Sequence, residues 1–223
     1  GTTYHVKVET RRADNRALGC ATYGKFRTAP KPDVPSRVLF MVSTGQEYNH
    51  LDMTHLGFRI YPAIYAMDPD FFVHTGDIVY YDHLAKSLAL ARWHWWRIYS
   101  LPTNREFHRH VASYFIKDDH DTLMNDCYPG IQTRFMGDFT FEQGLAVFRE
   151  QVPMGDSTYR TYRWGKDLQI WLVEGRDFRS PNPMPDGPEK TIWRREQKDW
   201  FKNTVSESDA TFRILISPTP LVG

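Results

Sequence analysis

Apolar residues recur along this chain in two rhythms, and the two rhythms mark out its elements. Tyr4, Val6 and Val8 alternate with His5, Lys7 and Glu9, the period of a half-buried strand. Residues 13–16 predict a turn, and residues 21–28 a second strand with Gly24 interrupting it. A two-stranded hairpin is marginal alone, so it must pack on the next domain or on strands outside this chain. Residues 29–35 hold Pro30, Pro32 and Pro35, which cannot join a ladder, and predict a linker.

The next run, Arg37 to Val42, is continuously apolar, as in a strand buried on both faces. Tyr61 to Met67 predicts a short helix and Phe71 to Thr75 the next strand. Leu84 to Tyr99 and Asn104 to His110 predict helices, and Val111 to Ile116 a third strand. Strand, helix, strand, helix, strand is the order of a sheet with covering helices. Phe141 to Gln151 reads as helical. Tyr159 to Trp164 and Leu168 to Val173 flank Gly165 as a hairpin. Four prolines make residues 180–188 a loop. Thr191 to Val205 places Trp193, Gln197, Trp200, Phe201 and Thr204 on one helix face. Phe212 to Ile216 predicts a last buried strand.

Two of these strands end in acid. Phe71-Phe72-Val73-His74-Thr75 runs into Gly76-Asp77-Ile78-Val79-Tyr80, and Tyr114-Phe115-Ile116 into Lys117-Asp118-Asp119-His120-Asp121, with Asn125-Asp126 beyond. Crowded carboxylates raise one another's pKa unless a cation neutralises them. A hard divalent metal is the simplest partner. The plainer alternative is a solvated acidic turn capping a helix. The second cluster favours the metal, because ligands bind at the carboxyl ends of strands in open α/β sheets. Two acidic strand ends suit a pair of ions about 3.5–4 Å apart.

Composition narrows the function further. The chain has 223 residues and a net charge of +1, so no nucleic-acid field is indicated. No run reaches the ~20 apolar residues of a membrane span, and no signal peptide is visible. Cys20 and Cys127 are the only cysteines. They fall in regions expected to lie apart, so no disulfide is predicted. Cys127 directly follows Asp126 and belongs near the acidic cluster.

Four stretches occur in order: Gly76-Asp77-Ile78-Val79-Tyr80, Asp118-Asp119-His120-Asp121 with Asn125-Asp126, Glu174-Gly175-Arg176-Asp177-Phe178-Arg179, and Trp193 with Gln197, Trp200 and Phe201. Together they resemble the alkaline phosphatase D (PhoD) branch of the calcineurin-like metallophosphatases, over nearly the whole chain. The resemblance implies an α/β (α+β) fold, a metallophosphatase-type β-sandwich flanked by helices. Residues 1–30 then correspond to the terminal hairpin of an N-terminal immunoglobulin/fibronectin-like domain and residues 31–36 to a linker. Residues 37–223 correspond to a catalytic core incomplete at its C-terminus, so that the chain reads as an internal fragment.

The activity implied is metal-dependent hydrolysis of phosphomonoesters or phosphodiesters by a metal-activated hydroxide. Asp77 would bridge the metals and Tyr80 would be a phenolate ligand to trivalent iron. Asp119 would stand where the wider superfamily has an Asn ligand. His120 would contact phosphate and protonate the leaving alkoxide. Asn125 would be a ligand or a phosphate contact, and Asp118 and Asp126 would fix their neighbours by hydrogen bonds. Arg176 is either a phosphate clamp or a structural ion pair with Glu174 or Asp177. Tyr81 and Asp82 are either supports for the site or a helix cap. His74 is either within reach of the site or a buried strand histidine held by backbone.

Two departures shape the metal expectation. The family's Cys ligand after the first strand is replaced by Ser43-Thr44-Gly45-Gln46. The family's late Gly-Asp-x-His motif is absent, so a companion C-terminal segment would supply further ligands. Two or more ions are expected: iron and calcium from the resemblance, with manganese or zinc open because the thiolate is missing. A periplasmic or secreted location is implied the same way. The alternatives are a non-catalytic binding module on this fold and a related sulfate or phosphonate ester hydrolase.

Overall fold

A computed structural model of the chain describes residues 1–14 and 18–220. Strands β1 (Thr3–Arg11) and β2 (Leu18–Arg27) pair antiparallel as a sheet of their own. Asn15 and Arg16 of the expected turn lie outside the described residues. The face expected to be half-buried is open: Val6 is 40% and Val8 56% exposed. Among the described residues no third strand lies beside this pair, and its ties to the rest are polar. The Lys25 amide donates to the Arg109 carbonyl at 2.7 Å. Arg109 Nε donates to the Tyr23 carbonyl at 2.6 Å.

Residues 28–39 form no regular element. Strands β3 (Phe40–Ser43), β4 (Phe71–His74) and β5 (Ser113–Phe115) then build a parallel sheet in the order β3-β4-β5. Helix α1 (Ile60–Tyr65) connects β3 to β4, and α2 (Leu88–Tyr99) and α3 (Pro102–His108) connect β4 to β5. The expected alternation of strand and helix is present. The first strand is shorter than the apolar run predicts and is not buried on both faces, since Val42 is 47% exposed. Its place explains this: β3 is an edge, and only β4 has a neighbour on each side.

The second sheet has the order β6-β7-β8, with β6 (Arg160–Trp164) and β7 (Leu168–Leu172) forming the expected hairpin. Strand β8 (Phe212–Ile216) pairs parallel to β7 after helix α5 (Arg194–Glu207). It too is an edge. Phe212 is 62% exposed and only Ile216 is buried, so the buried last strand expected from the sequence is corrected.

Alternation along β4 sends its side chains in two directions. Phe71 and Val73 join Trp164, Ile170 and Leu172 in the core between the sheets, with the Phe71 and Trp164 rings 4.5 Å apart. Phe72 points the other way, onto Tyr61 and Phe107 beneath α1 and α3. Outside the second sheet, Trp171 Nε1 donates to Thr204 Oγ1 of α5 at 2.9 Å. The expected sandwich is thus two sheets between helical layers. Helix α4 (Phe141–Gln151) starts where predicted, because Thr140 and Gln143 form a reciprocal capping box. Because β4 and β5 run parallel, the loops after both emerge on the same side.

Candidate metal centre

Those two loops cross at Gly76, and the crossing is tight. A Cβ there would lie 2.7 Å from Asp118 Cβ, and its φ of +112° is a glycine conformation. Asp77 follows at φ +55°, a left-handed backbone unusual for a side-chain-bearing residue. Asp121 fastens the loops together: its two carboxylate oxygens accept from the Ile78 and Asp118 amides, each at 3.0 Å. Burial, together with the charge of Asp77, raises the pKa of Asp121 well above the usual carboxylate range.

The result is a convergence of donors. One ligand atom each from Asp77, Asp119 and His120 lies within 4.8 Å of the others, the one such group among the described residues. Tyr80 Oη donates to Asp77 Oδ2 at 3.3 Å, and the Tyr80 ring stacks on His120 at 4.5 Å. Tyr80 stands here as a phenol, its pKa raised by burial and by Asp77. Asp77 Oδ1 is buried without a hydrogen-bond partner among the described residues. Burial, opposed by His120 and reinforced by Asp118 and Asp119, pushes the Asp77 pKa up to about 6. An orphaned carboxylate oxygen beside a second carboxylate and an imidazole is a donor set that fits a divalent cation.

His120 is held from behind. Its Nδ1 lies 2.5 Å from Asp82 Oδ2, leaving Nε2 on the cluster side, 4.0 Å from Asp119. Burial works against its charge, but Asp82, Asp119 and Asp77 outweigh it and raise its pKa to about 9. Asp82 is therefore the histidine's anchor and not a helix cap; α2 begins at Leu88 and is capped by Ser87. Asp82 Oδ1 also accepts the Asn125 amide at 2.9 Å. Asn125 itself is exposed, and its side-chain amide donates to Asp126 at 3.3 Å.

Arg176 reaches this centre from the loop after β7. Its Nε donates to Asp118 Oδ1 at 2.5 Å, its Nη2 lies 3.2 Å from Asp119 Oδ2, and its Nη1 donates to the Cys127 carbonyl at 3.3 Å. The partners expected of a structural ion pair, Glu174 and Asp177, are corrected. Both belong to Lys117, fully buried, whose Nζ lies 2.6 Å from each carboxylate. Asp118 accepts from Arg176 and not from a neighbouring candidate ligand. The Asp126 amide donates to Asp119 Oδ2 at 2.7 Å.

Near the missing thiolate, the Gly45 and Gln46 amides donate to the Gly76 and Asp77 carbonyls at 3.2 and 2.9 Å. A Cβ on Gly45 would sit 3.6 Å from Tyr80 Oη, so this loop faces the centre. Cys127 lies close, its Sγ donating to the Asp119 carbonyl at 3.5 Å, but burial pushes its pKa up to about 12. His74 is a buried strand histidine, 1% exposed, its Nδ1 without a hydrogen-bond partner among the described residues. Sequence reasoning gave no role to Lys117 and left Asp82 undecided. The one signal for Lys117 was its place between an apolar strand and three acids.

Comparison with known proteins bears on the fold and the family. The structure of PhoD superposes with a TM-score of 0.73 at 19% identity, covering 87% of this chain and 44% of that one. The purple acid phosphatase PPD1 from yellow lupin (Lupinus luteus) seeds superposes with a TM-score of 0.58 at 13% identity, covering 96% of this chain and 35% of that one. The chain thus spans less than half the length of either. No curated protein matches it. At such identities the superpositions show the fold, a mixed α/β arrangement of sheets and helices. The profile of the PhoD-like phosphatases matches residues 40–222, and the chain belongs to that family.

Proposed function

We propose that this chain carries the centre of a metal-dependent phosphoesterase acting on phosphomonoesters or phosphodiesters. The observation that carries the reading is the convergence of Asp77, Asp119 and His120 around an unpartnered carboxylate oxygen. Asp77 and Asp119 would hold a cation, with Tyr80 beside them. When bound, a divalent cation activates water and neutralises charge on phosphate oxygens. A second cation needs donors beyond this group of three. With no thiolate in the group, oxygen and nitrogen donors leave calcium, manganese, zinc and iron as the choices.

The remaining roles belong to the chain's own residues. His120 presents Nε2 to the cluster with Nδ1 committed to Asp82, which suits it to hand a proton to a leaving alkoxide. Arg176 lies behind Asp118 and Asp119, where its charge compensates theirs and would add to the field met by an incoming phosphate.

The experiment is metal analysis of the full chain, followed by hydrolysis of a chromogenic monoester and a chromogenic diester. Bound metal with turnover, both lost in Asp119→Ala, is the expected result. Normal folding with phosphate binding but no turnover under any metal makes the chain a binding module instead.

A further inference from the structure

Beyond the metal centre, the loop that carries Arg176 continues into a cavity of about 730 Å³ between residues 178–191 and the first turns of α5. Four cationic side chains line it: Arg179, Arg194, Arg195 and Lys198. Glu189 is the one acid among the described lining residues. Four positive charges less one negative leave +3 around one concavity, on a chain whose net charge is +1.

These charges are poorly matched by protein. Arg195 pairs with Asp199 at 3.2 Å. Arg194 and Lys198 have no ion pair among the described residues. Arg179 Nε donates to Asn182 at 3.1 Å, while its Nη1 is buried with no hydrogen-bond partner among them. A buried guanidinium nitrogen without an acceptor is costly, and like charges around a concave wall repel. An anion in the concavity would relieve the repulsion. A solvated helix face would explain Arg195 and Lys198, but not the buried Nη1 of Arg179.

The chain ties one wall of the cavity to the centre. Pro129 on its wall follows Cys127, whose carbonyl accepts from Arg176, by two residues. The Arg179 amide donates to the Arg176 carbonyl at 3.5 Å, and the Arg179 charge is felt at Asp118.

We propose that this cavity receives a second anionic group, a phosphate or a carboxylate, on the organic part of the ester, so that the preferred substrates carry two anionic groups. The inference rests on the phosphoesterase reading of the centre. Guanidinium and ammonium groups together suit such an anion, and their effect fades as salt screens them.

The test compares adenosine 5′-monophosphate with adenosine 3′,5′-bisphosphate on the metal-loaded full chain, reading phosphate release. The bisphosphate is expected to have the higher kcat/KM by about tenfold, through KM, with the advantage shrinking in high salt. In the Arg194→Gln/Lys198→Gln double variant, and in Lys198→Glu, that ratio falls toward one. An equal kcat/KM for both esters in the wild type, or a ratio the variants leave where it was, overturns the inference. If neither ester turns over, the phosphomonoesterase reading fails, and calorimetric titration with the same two nucleotides still reads the cavity. A preference for the bisphosphate lost in the variants sustains the inference, and equal binding overturns it.

Discussion

The imidazole of His120 meets the carboxylate of Asp82 across 38 residues of sequence, Nδ1 to Oδ2 at 2.5 Å. Through this contact the ring is oriented and its charge supported. We expect Asp82→Asn to keep the fold and cost about 10–100-fold in kcat, the usual range for removing an orienting partner. The loss of a negative charge lowers the His120 pKa from about 9. Activity that needs the protonated ring should therefore fall off at lower pH in the variant. Profiles of kcat against pH for the two proteins check this.

Arg176 is 4% exposed and compensates Asp118 and Asp119. Arg176→Met should destabilise the chain by about 3–5 kcal/mol, because it leaves buried carboxylates without a counter-charge. A divalent cation should recover more stability in this variant than in the wild type. Urea unfolding with and without the cation measures both.

Lys117 makes the same argument at a fully buried site, with Glu174 and Asp177 each 2.6 Å away. Lys117→Met is expected to cost about 3–5 kcal/mol. Removing the charges together, in Lys117→Met/Glu174→Gln/Asp177→Asn, should return a substantial part of the loss. Gln at 174 keeps an acceptor for the Arg176 amide, which now donates to Glu174 Oε1 at 2.6 Å. Denaturation midpoints of the single and triple variants decide it.

Helix α4 lies against the acidic loop at Gly144, where a Cβ would fall 1.6 Å from the Thr122 carbonyl oxygen. Intrinsic preference favours Ala over Gly in a helix by about 1 kcal/mol. Here Gly144→Ala should instead destabilise by about 1–3 kcal/mol, the cost of overpacking. Thr122 directly follows Asp121, so the variant should also lose metal affinity. A melting curve and a metal titration test the two effects.

Burial lowers the pKa of both His74 and His108 to about 3, from the ordinary 6.5, with the His74 charge adding to the effect at His108. In the folded chain they stay neutral down to that pH, whereas unfolded they take up protons below about 6.5. Unfolding thus binds protons between those limits. These two histidines lower stability by about 1.4 kcal/mol per pH unit each below pH 6.5 and leave it unchanged above, where His120, with its pKa raised to about 9, makes stability fall as pH rises. His108→Gln should remove about half of the slope. A series of urea midpoints from pH 8 to pH 5 would show it.

Much of the fold was legible because the signals are local. The apolar run at Phe71 to Val73 ending in Gly76-Asp77, the turn at Gly165, and the helical stretch from Phe141 each rest on signals within a few residues. So did the two acidic strand ends, whose parallel course puts Asp77 and Asp119 side by side. Burial at the sheet edges was not legible. Val42 and Phe212 sit in runs as apolar as those of central strands, and only the number of neighbours distinguishes them.

By itself the sequence determined which stretches form strands and helices, and which strand ends carry acid, since periodicity and turn chemistry depend on adjacent residues. Only the tertiary structure decided which charge answers which. Arg176 goes to Asp118, 58 residues away, and Lys117 takes the nearer-looking partners Glu174 and Asp177. Electrostatic pairing follows distance in space, and that distance is set by how two sheets pack face to face.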